Sequence, residues 1–370
     1  MALKMPSVII TFKEKGITAI ERSERGIVLL IVEEAKAAAP YTVYTVDDIP
    51  ETAEDATKEQ IQLALMGYQV TPRKVLVYTI TKQVAKGEGE TPEQDYTNVL
   101  KEIERTHFDY LVIPQIADSK TQEIATWIKG MRTTKDTMVK AVLPNCAADD
   151  EGVINFTNTT IETKEKTYTT AEYCSRVAGI IAGTPMTISC TYAPASEIVA
   201  VDNHTQEEMD EKVGKGEFFF FNDGEKIKVA RGINSLVTTM QGKGEDFQKI
   251  KLVDIMDMIH DDVKETAHDS YIGKYANSYD NRCLLITAVQ GYLDTLETEG
   301  LLENGQNTCA VDLTATKNWL ESNGLYTKDE LATMKEQDIK EANIHDNVFL
   351  QMDLSILDAI ENITIRAVID

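Results

Sequence analysis

The chain has 370 residues, of which 42% are hydrophobic and 26% charged, and only 9 are proline. This composition is typical of a folded globular protein of about two domains and excludes a disordered or fibrous chain. The net charge of −24 disfavours binding to a DNA or RNA backbone. It also makes identical copies repel one another, so an assembly of copies would need contacts that overcome this repulsion.

Apolar strands alternate with amphipathic helices over the first two thirds of the chain. Strands are predicted at residues 27–32, 74–80, 110–113 and 139–143. Helices are predicted at residues 57–66, 92–106, 121–131 and 171–182, and from residue 205. This alternation indicates βαβ units and a mostly parallel sheet.

A run of four Phe, residues 218–221, precedes the turn sequence Asn222-Asp223-Gly224. Because Asn and Gly tolerate the positive φ of tight hairpin turns, two strands around a turn are predicted within residues 217–229. The aromatic run favours either a central strand covered on both faces or a surface that becomes buried on assembly.

Beyond residue 240 the pattern changes, and we place a domain boundary there. Two long helices are predicted at residues 246–267 and 282–299. A β segment at 308–315, polar helices through residue 342 and a final pair of strands follow. No apolar run reaches the ~18 residues of a membrane-spanning helix, and the N-terminus lacks a signal peptide's apolar region. We therefore expect a cytosolic protein without membrane insertion.

Both termini carry strand candidates. The N-terminal candidate consists of Val8, Ile9, Ile10, Thr11 and Phe12. The C-terminal candidate consists of Ile363, Thr364, Ile365, Arg366, Ala367, Val368 and Ile369, which nearly alternate between apolar and polar. Chain ends are usually frayed and polar, so a well-patterned strand at the very end calls for a partner sheet.

Catalytic motifs are missing from the sequence: it contains no phosphate-binding loop, no dinucleotide fingerprint, no HExxH and no EF-hand loop. One alternative remains open, a metal-dependent hydrolase that uses His260, Asp261, Asp262 and His268. A charged, solvated helix face explains the same four residues, and we favour it. The five scattered cysteines indicate buried, reduced thiols. Neither a cofactor nor a bound metal is predicted.

The stretch Gly183-Thr184-Pro185-Met186 resembles the nucleophile sequence of subtilisin-type proteases, with proline in place of the serine. Proline has no hydroxyl to activate, so acyl transfer is excluded. The small residues just before it, such as Gly179, indicate close packing of a helix on a sheet.

Several pieces in order resemble one known family: FDYLVIP (108–114), IATWIKGMR (124–132), YCSRVAGIIAGTPMTISCTY (173–192), ARGINSL (230–236), DFQKIKLVDIMDMIHDDV (246–263), YIGKYANSYDNR (271–282) and the closing LDAIENITIRAVID. The chain is similar to the tail sheath proteins of contractile phage tails and R-type bacteriocin particles. The resemblance covers essentially the whole chain.

This resemblance implies an α/β fold: a subtilisin-like α/β domain without a protease active site, a smaller α+β C-terminal domain, and extended β-strand arms at both ends. The implied segments are an N-terminal arm at 1–20, the subtilisin-like domain at 21–240, the C-terminal domain at 241–345, and a C-terminal strand and arm at 346–370. The arms would add strands to sheets of neighbouring subunits.

The resemblance also implies a structural protein, not an enzyme. Its copies would form hexameric rings that stack helically around an inner tail tube, and contraction would drive the tube through a target envelope. The implied partners are other copies, the tube protein, and baseplate and tail-terminator proteins, without nucleic acid. The protein would reside in the bacterial host cytoplasm during assembly and then in the tail sheath. Joints at 13–16 and 357–362 would let subunits rotate while the donated strands stay paired.

Overall fold

The computed structural model describes Ile20, residues 25–83 and residues 94–369. The predicted N-terminal strand, Val8 to Phe12, and the predicted joint at 13–16 lie outside the described residues. The described chain divides into two compact units. The first unit comprises residues 25–261 and 356–369, and the second comprises residues 262–355.

A mostly parallel sheet forms the centre of the first unit. The strands of this unit are β1 (Ile27–Glu34), β2 (Tyr41–Val43), β3 (Lys74–Thr81), β4 (Tyr110–Val112), β5 (Lys140–Pro144), β6 (Val153–Phe156), β7 (Ile161–Thr163), β8 (Thr167–Tyr168), β9 (Ile198–Val201), β10 (Glu217–Phe218), β11 (Phe220–Asn222) and β12 (Ile227–Val229). The central sheet has seven strands in the order β10-β6-β5-β4-β1-β3-β2. Only β2 runs antiparallel to its neighbour, which confirms the predicted parallel sheet.

Helices cover both faces of this sheet. They are α1 (Asp55–Leu65), α2 (Thr97–Ile103), α3 (Asp118–Thr133), α4 (Thr170–Ala182), α5 (Gln206–Gly214) and the start of α6 (Ile250–Thr266). Alternate residues of β1 pack on opposite sides, Val28 with residues of α1 and α4, and Leu29 with residues of α2 and α3. A strand buried on both faces requires a continuous apolar run, and β1 has one. Helix α2 is shorter than the predicted 92–106 at both ends, since residues 94–96 before it and 104–106 after it are not helical.

Helix α4 begins at a capping box and ends beside the protease-like stretch. The Thr169 hydroxyl accepts a hydrogen bond from the Glu172 N–H, while the Glu172 carboxylate accepts from the Thr169 N–H. A Cβ at Gly179 would lie 2.2 Å from the Ala64 carbonyl oxygen, so this glycine allows the close approach of α4 to α1. The contact at this glycine is thus with a helix, whereas the sequence predicted a contact with the sheet. Gly183 follows the last turn of α4. The stretch with Pro185 therefore does not stand on the strand-to-helix turn that exposes a nucleophile.

The structure of the Phe run, residues 218–221, agrees with neither of the two predictions made for it. Phe218 ends an edge strand beside β6, and Phe220 starts the hairpin of β11 and β12, which confirms the predicted turn. Phe218, Phe219 and Phe220 are fully buried inside the chain, because the run passes from one sheet to another. These three residues therefore form neither a central strand nor a surface left open for assembly.

The second unit is mainly helical, with one small sheet. After α6 it contains α7 (Tyr279–Thr298), β13 (Thr308–Val311), α8 (Leu313–Ser322), α9 (Lys328–Thr333), α10 (Glu336–Glu341) and β14 (Leu350–Asp353). Strands β13 and β14 pair antiparallel, with Thr308 opposite Asp353. A small core of Leu320, Leu331 and Ile344 lies among the short helices. The two predicted long helices are present.

The two compact units divide within α6, at residues 261 and 262, while the predicted domain boundary near residue 240 stays a prediction. The first turns of α6 belong to the first unit because their carboxylates bond to the central sheet, as described below. The predicted terminal segment 346–370 is divided as well, since β14 lies in the second unit and residues 356–369 in the first. No helix within the described ranges has the length and apolarity needed to cross a bilayer. All five cysteines are unpaired, and four of them are buried, as predicted.

Candidate assembly surfaces

The last described residues of the first unit, 362–369, form an exposed apolar segment, which we call the arm. Ile363, Ile365, Val368 and Ile369 are 74%, 84%, 78% and 95% exposed. Within the described chain the arm joins no helix or strand, and its residues make no hydrogen bond. Soluble monomers rarely expose so much contiguous apolar surface, so the arm has the properties of a strand that lacks its sheet.

Glu361 fixes the root of the arm. Its carboxylate accepts hydrogen bonds from the Thr191 hydroxyl at 2.6 Å, the Ser189 hydroxyl at 3.2 Å and Arg231 Nε at 3.1 Å. The Thr191 hydroxyl in turn accepts from the Gly232 N–H at 2.9 Å. The side chain of Glu361 is only 11% exposed. A partly desolvated carboxylate with three donors is a strong attachment point.

Two lysines at the start of α6 hold the residues just before Glu361. Lys249 forms an ion pair with Asp358, and the Lys251 ammonium donates to the Leu357 carbonyl oxygen. Side chains from distant loops and α6 therefore bind residues 357, 358 and 361 of the predicted joint at 357–362. The joint itself stays a prediction.

A buried ionic cluster lies at the amino ends of β4 and β5. Asp257 of α6 accepts hydrogen bonds from Arg132 at 2.8 and 2.9 Å and from Lys140 Nζ at 2.6 Å. Lys140 Nζ also lies 3.0 Å from Asp254, whose carboxylate accepts the Tyr110 hydroxyl at 2.6 Å. Two successive turns of α6 are thus bonded to the sheet and to α3.

The protonation of this cluster depends on competition between burial and charge. Burial opposes ionisation of Asp257, but attraction to Lys140 and Arg132 outweighs it and lowers the pKa of Asp257. At Asp254 burial dominates and raises the pKa of the carboxyl group, despite the proximity of Lys140. Burial, with the charge of Asp254, also raises the pKa of Tyr110. The cluster is a fixed structural contact in which every charge has a partner.

The residues of the hydrolase alternative have other partners. Both ring nitrogens of His260 lie 2.9 Å from carboxylate oxygens, one of Asp136 and one of Asp261. Asp261 also pairs with Arg25 at 2.8 Å, and Asp262 accepts the Tyr292 hydroxyl at 2.5 Å. His268 lies in the π-helical turn Ala267–Tyr271 that follows α6.

Of these four residues, His260 and Asp261 share a hydrogen bond. In the described part of the chain, no three His, Cys, Asp or Glu side chains are arranged to hold a metal ion. The structure therefore gives the hydrolase alternative no support.

The small sheet of β13 and β14 leaves the outer edge of β14 open in the described residues. On the outer edge of β13, the Gln290 side chain accepts the Cys309 N–H and donates to the Asn307 carbonyl oxygen. In the described residues each of these strands pairs only with the other. A two-stranded sheet is marginally stable in water and gains from an added strand. Met352 on β14 and Leu354 just beyond it are partly exposed. This sheet can accept a strand by main-chain hydrogen bonding.

Sequence patterns predicted the arm and missed its anchor. Arg231 lies 130 residues from Glu361 and Thr191 lies 170 residues away, and nothing in that spacing predicts that they meet. The signal that was available was local: a carboxylate placed directly before an apolar strand at the end of the chain.

Comparisons with known proteins agree with the fold. Residues 89–235 match the phage tail sheath protein central domain, and residues 242–370 match the phage tail sheath C-terminal domain. The chain is 38% identical over 365 residues to the tail sheath protein of Clostridium phage phiCD119, covering 97% of this chain and 98% of the relative.

Two solved structures share the fold. The sheath tail protein of Desulfitobacterium hafniense superposes with a TM-score of 0.68 at 20% identity, over 83% of this chain and 94% of that protein. The helical sheath of the anti-feeding prophage in its contracted state gives a TM-score of 0.67 at 13% identity, over 100% of both chains.

Proposed function

Because the chain belongs to the phage tail sheath protein family, we propose that it is the structural subunit of a contractile sheath around an inner tail tube. Copies assemble as hexameric rings that stack helically, and contraction drives the tube through a target envelope. Tube, baseplate and tail-terminator proteins are its further partners. It assembles in the host cytoplasm and then resides in the particle. The observation that carries this proposal is the exposed apolar arm anchored at Glu361.

In this proposal the arm adds a strand to the open sheet of β13 and β14 in a neighbouring copy. Main-chain hydrogen bonds supply affinity, and alternate side chains of the arm set the register. Burying one Ile side chain stabilises the contact by about 1.5–3 kcal/mol. Several such residues offset the repulsion between copies that each carry a net charge of −24.

The N-terminal strand, Val8 to Phe12, is the second connection in this proposal. It donates to a neighbour in the same way, so that each copy has two strand links. The subtilisin-like arrangement of the first unit and the arm boundaries at residues 20 and 346 belong to the same proposal. An enzymatic role is not part of this proposal, because the family relatives are sheath proteins.

Deleting residues 362–370 tests the proposal. We expect a folded protein with an unchanged unfolding temperature that no longer forms rings or tubes, as observed by electron microscopy and sedimentation. The matched control is Ile360→Ser, which removes an equally exposed apolar side chain ahead of the anchor and leaves the arm intact. Tubes formed by the truncated chain would show that the C-terminal strand is not the link between copies.

A further inference from the structure

We infer that a groove beside the root of the arm is a second docking surface for the copy of this chain that accepts the arm. This inference rests on the strand donation proposed above. It adds a second contact with that copy, made by side chains of the first unit that lie outside the arm.

The first part of the argument is the short length of chain between Glu361 and the apolar residues of the arm. Glu361 is fixed by its three hydrogen bonds, and the alternating apolar residues begin at Ile363. Two extended residues span at most about 7 Å. A paired strand lies about 4.8 Å from its neighbour. The backbone of the accepting copy therefore lies within roughly 12 Å of Glu361, and it has to cover the surface there.

The second step is what that surface contains. A cavity of about 200 Å³ opens beside Glu361 and Asn362. Its lining is mixed: Tyr192, Met209, Val213 and Phe221 contribute apolar or aromatic surface, and Gln206, Asp210 and Arg231 contribute polar and charged groups. All of them belong to the first unit. The groove is thus continuous with the point from which the arm leaves.

Tyr192 is the most distinctive residue of the groove. It is 56% exposed and has a φ of +59°, a conformation that a bulky residue rarely adopts. Its ring lies 5.8 Å from the Phe221 ring and 4.6 Å from Lys228 Nζ. A rigidly held, exposed aromatic ring is the kind of side chain that dominates the binding energy of protein interfaces.

Helix α5 provides a second, independent observation. No residue of this helix is fully buried, although its ends are well capped. Met209 and Val213, four residues apart on one face, are half-buried and line the groove. A helix in a folded core normally buries one apolar stripe completely. The stripe of α5 is completed when a second copy covers the groove.

The experiment compares Tyr192→Ala with Tyr44→Ala, since Tyr44 is 58% exposed and lies outside the groove. Alanine keeps a Cβ at position 192, so the positive φ there is as unfavourable in Tyr192→Ala as in the native chain. We expect Tyr192→Ala to raise the protein concentration required for tube formation by about tenfold, and Tyr44→Ala to leave it unchanged. Monomer unfolding temperatures check that both variants fold. If Tyr192→Ala fails to fold, Met209→Gln on α5 replaces it.

A photo-crosslinking residue, p-benzoylphenylalanine, at position 192 supplies the second measurement. We expect crosslinks between two copies in assembled tubes and none in the protein truncated at residue 361. If truncation abolishes tubes while Tyr192→Ala assembles like Tyr44→Ala, the groove inference is overturned and strand donation stands. Crosslinks from position 192 only to another protein also overturn it. Tubes formed by the truncated chain overturn both.

Discussion

The ionic cluster and the arm reverse the usual distribution of side chains in opposite ways. In the cluster, Asp257, Lys140 and Arg132 place full charges inside the protein. In the arm, Ile365 and Ile369 place large apolar side chains in solvent. The charges of the cluster are satisfied within one chain, whereas the described residues leave the apolar side chains of the arm exposed. The first region bonds α6 to the central sheet, and the second is the segment for which we proposed burial by another copy.

The two regions are connected through one helix. Lys249 and Lys251, at the start of α6, bind residues 357 and 358 ahead of the arm. Asp254 and Asp257, on the next turns of the same helix, bind the central sheet. A displacement of the arm root therefore acts on a helix that buried ion pairs hold in place. An exposed strand can link subunits firmly only where its root is attached to a rigid body.

The largest effect is expected from Asp257→Ala. Removing this carboxylate leaves Arg132 and Lys140 buried without their main partner, which typically costs about 3–5 kcal/mol. Urea unfolding monitored by circular dichroism measures the loss of free energy of unfolding. Asp55→Ala, which removes a fully exposed carboxylate on α1, is the matched control and should change stability by less than about 0.5 kcal/mol. Equal effects of the two substitutions would mean that the cluster does not stabilise the subunit.

A smaller effect, confined to assembly, is expected from Ile365→Asp. The side chain is exposed in the single chain, so the unfolding temperature should stay the same. Lost burial of about 1.5–3 kcal/mol per copy should raise the concentration required for assembly about 10- to 150-fold. Sedimentation of tubes over a concentration series measures this.

Thr364→Asp is the control for Ile365→Asp, because neighbouring residues of a strand face opposite sides. It should weaken assembly much less. Similar effects at positions 364 and 365 would be inconsistent with an arm that pairs as a strand with one buried face.

The smallest effect is expected at His260, at the edge of the cluster. The hydrogen bond to Asp261, opposed by burial and aided by Asp136, raises the pKa of His260. A raised pKa in the folded state gives stability that is complete below the unfolded value of about 6.5 and is lost as the pH rises through the folded value. Because the imidazole is partly exposed, we expect at most about 1 kcal/mol.

His260→Gln should remove this pH dependence. The free energy of unfolding of the native chain should fall from pH 6 toward pH 8–9, and the curve of the variant should be flatter over the same range. Asp136→Asn, which removes one of the two partners, should give an intermediate slope. Parallel curves for all three proteins would show that His260 keeps its ordinary pKa.

Most elements of the first unit were predictable because their signals are local. The apolar run of β1, the amphipathic stripes of α1 and α3 and the hairpin turn at residues 222–224 each depend on neighbouring residues. The Phe run was misinterpreted, since the break between β10 and β11 at Phe219 depends on which sheet accepts each half. The division of the two compact units within α6 could not be predicted for a similar reason: the helix is continuous in sequence, and only its side-chain partners differ along it.

The sequence by itself determined that residues 363–369 carry a nearly alternating apolar pattern, because a period of two residues is a property of adjacent positions. Tertiary structure alone decided where this arm is attached and what holds the attachment rigid. Glu361 meets residues 130 to 172 positions away, and Asp257 meets Lys140 across 117 positions. Such contacts form only when the sheet and the loops around it have brought the partners together, and no local pattern encodes that meeting.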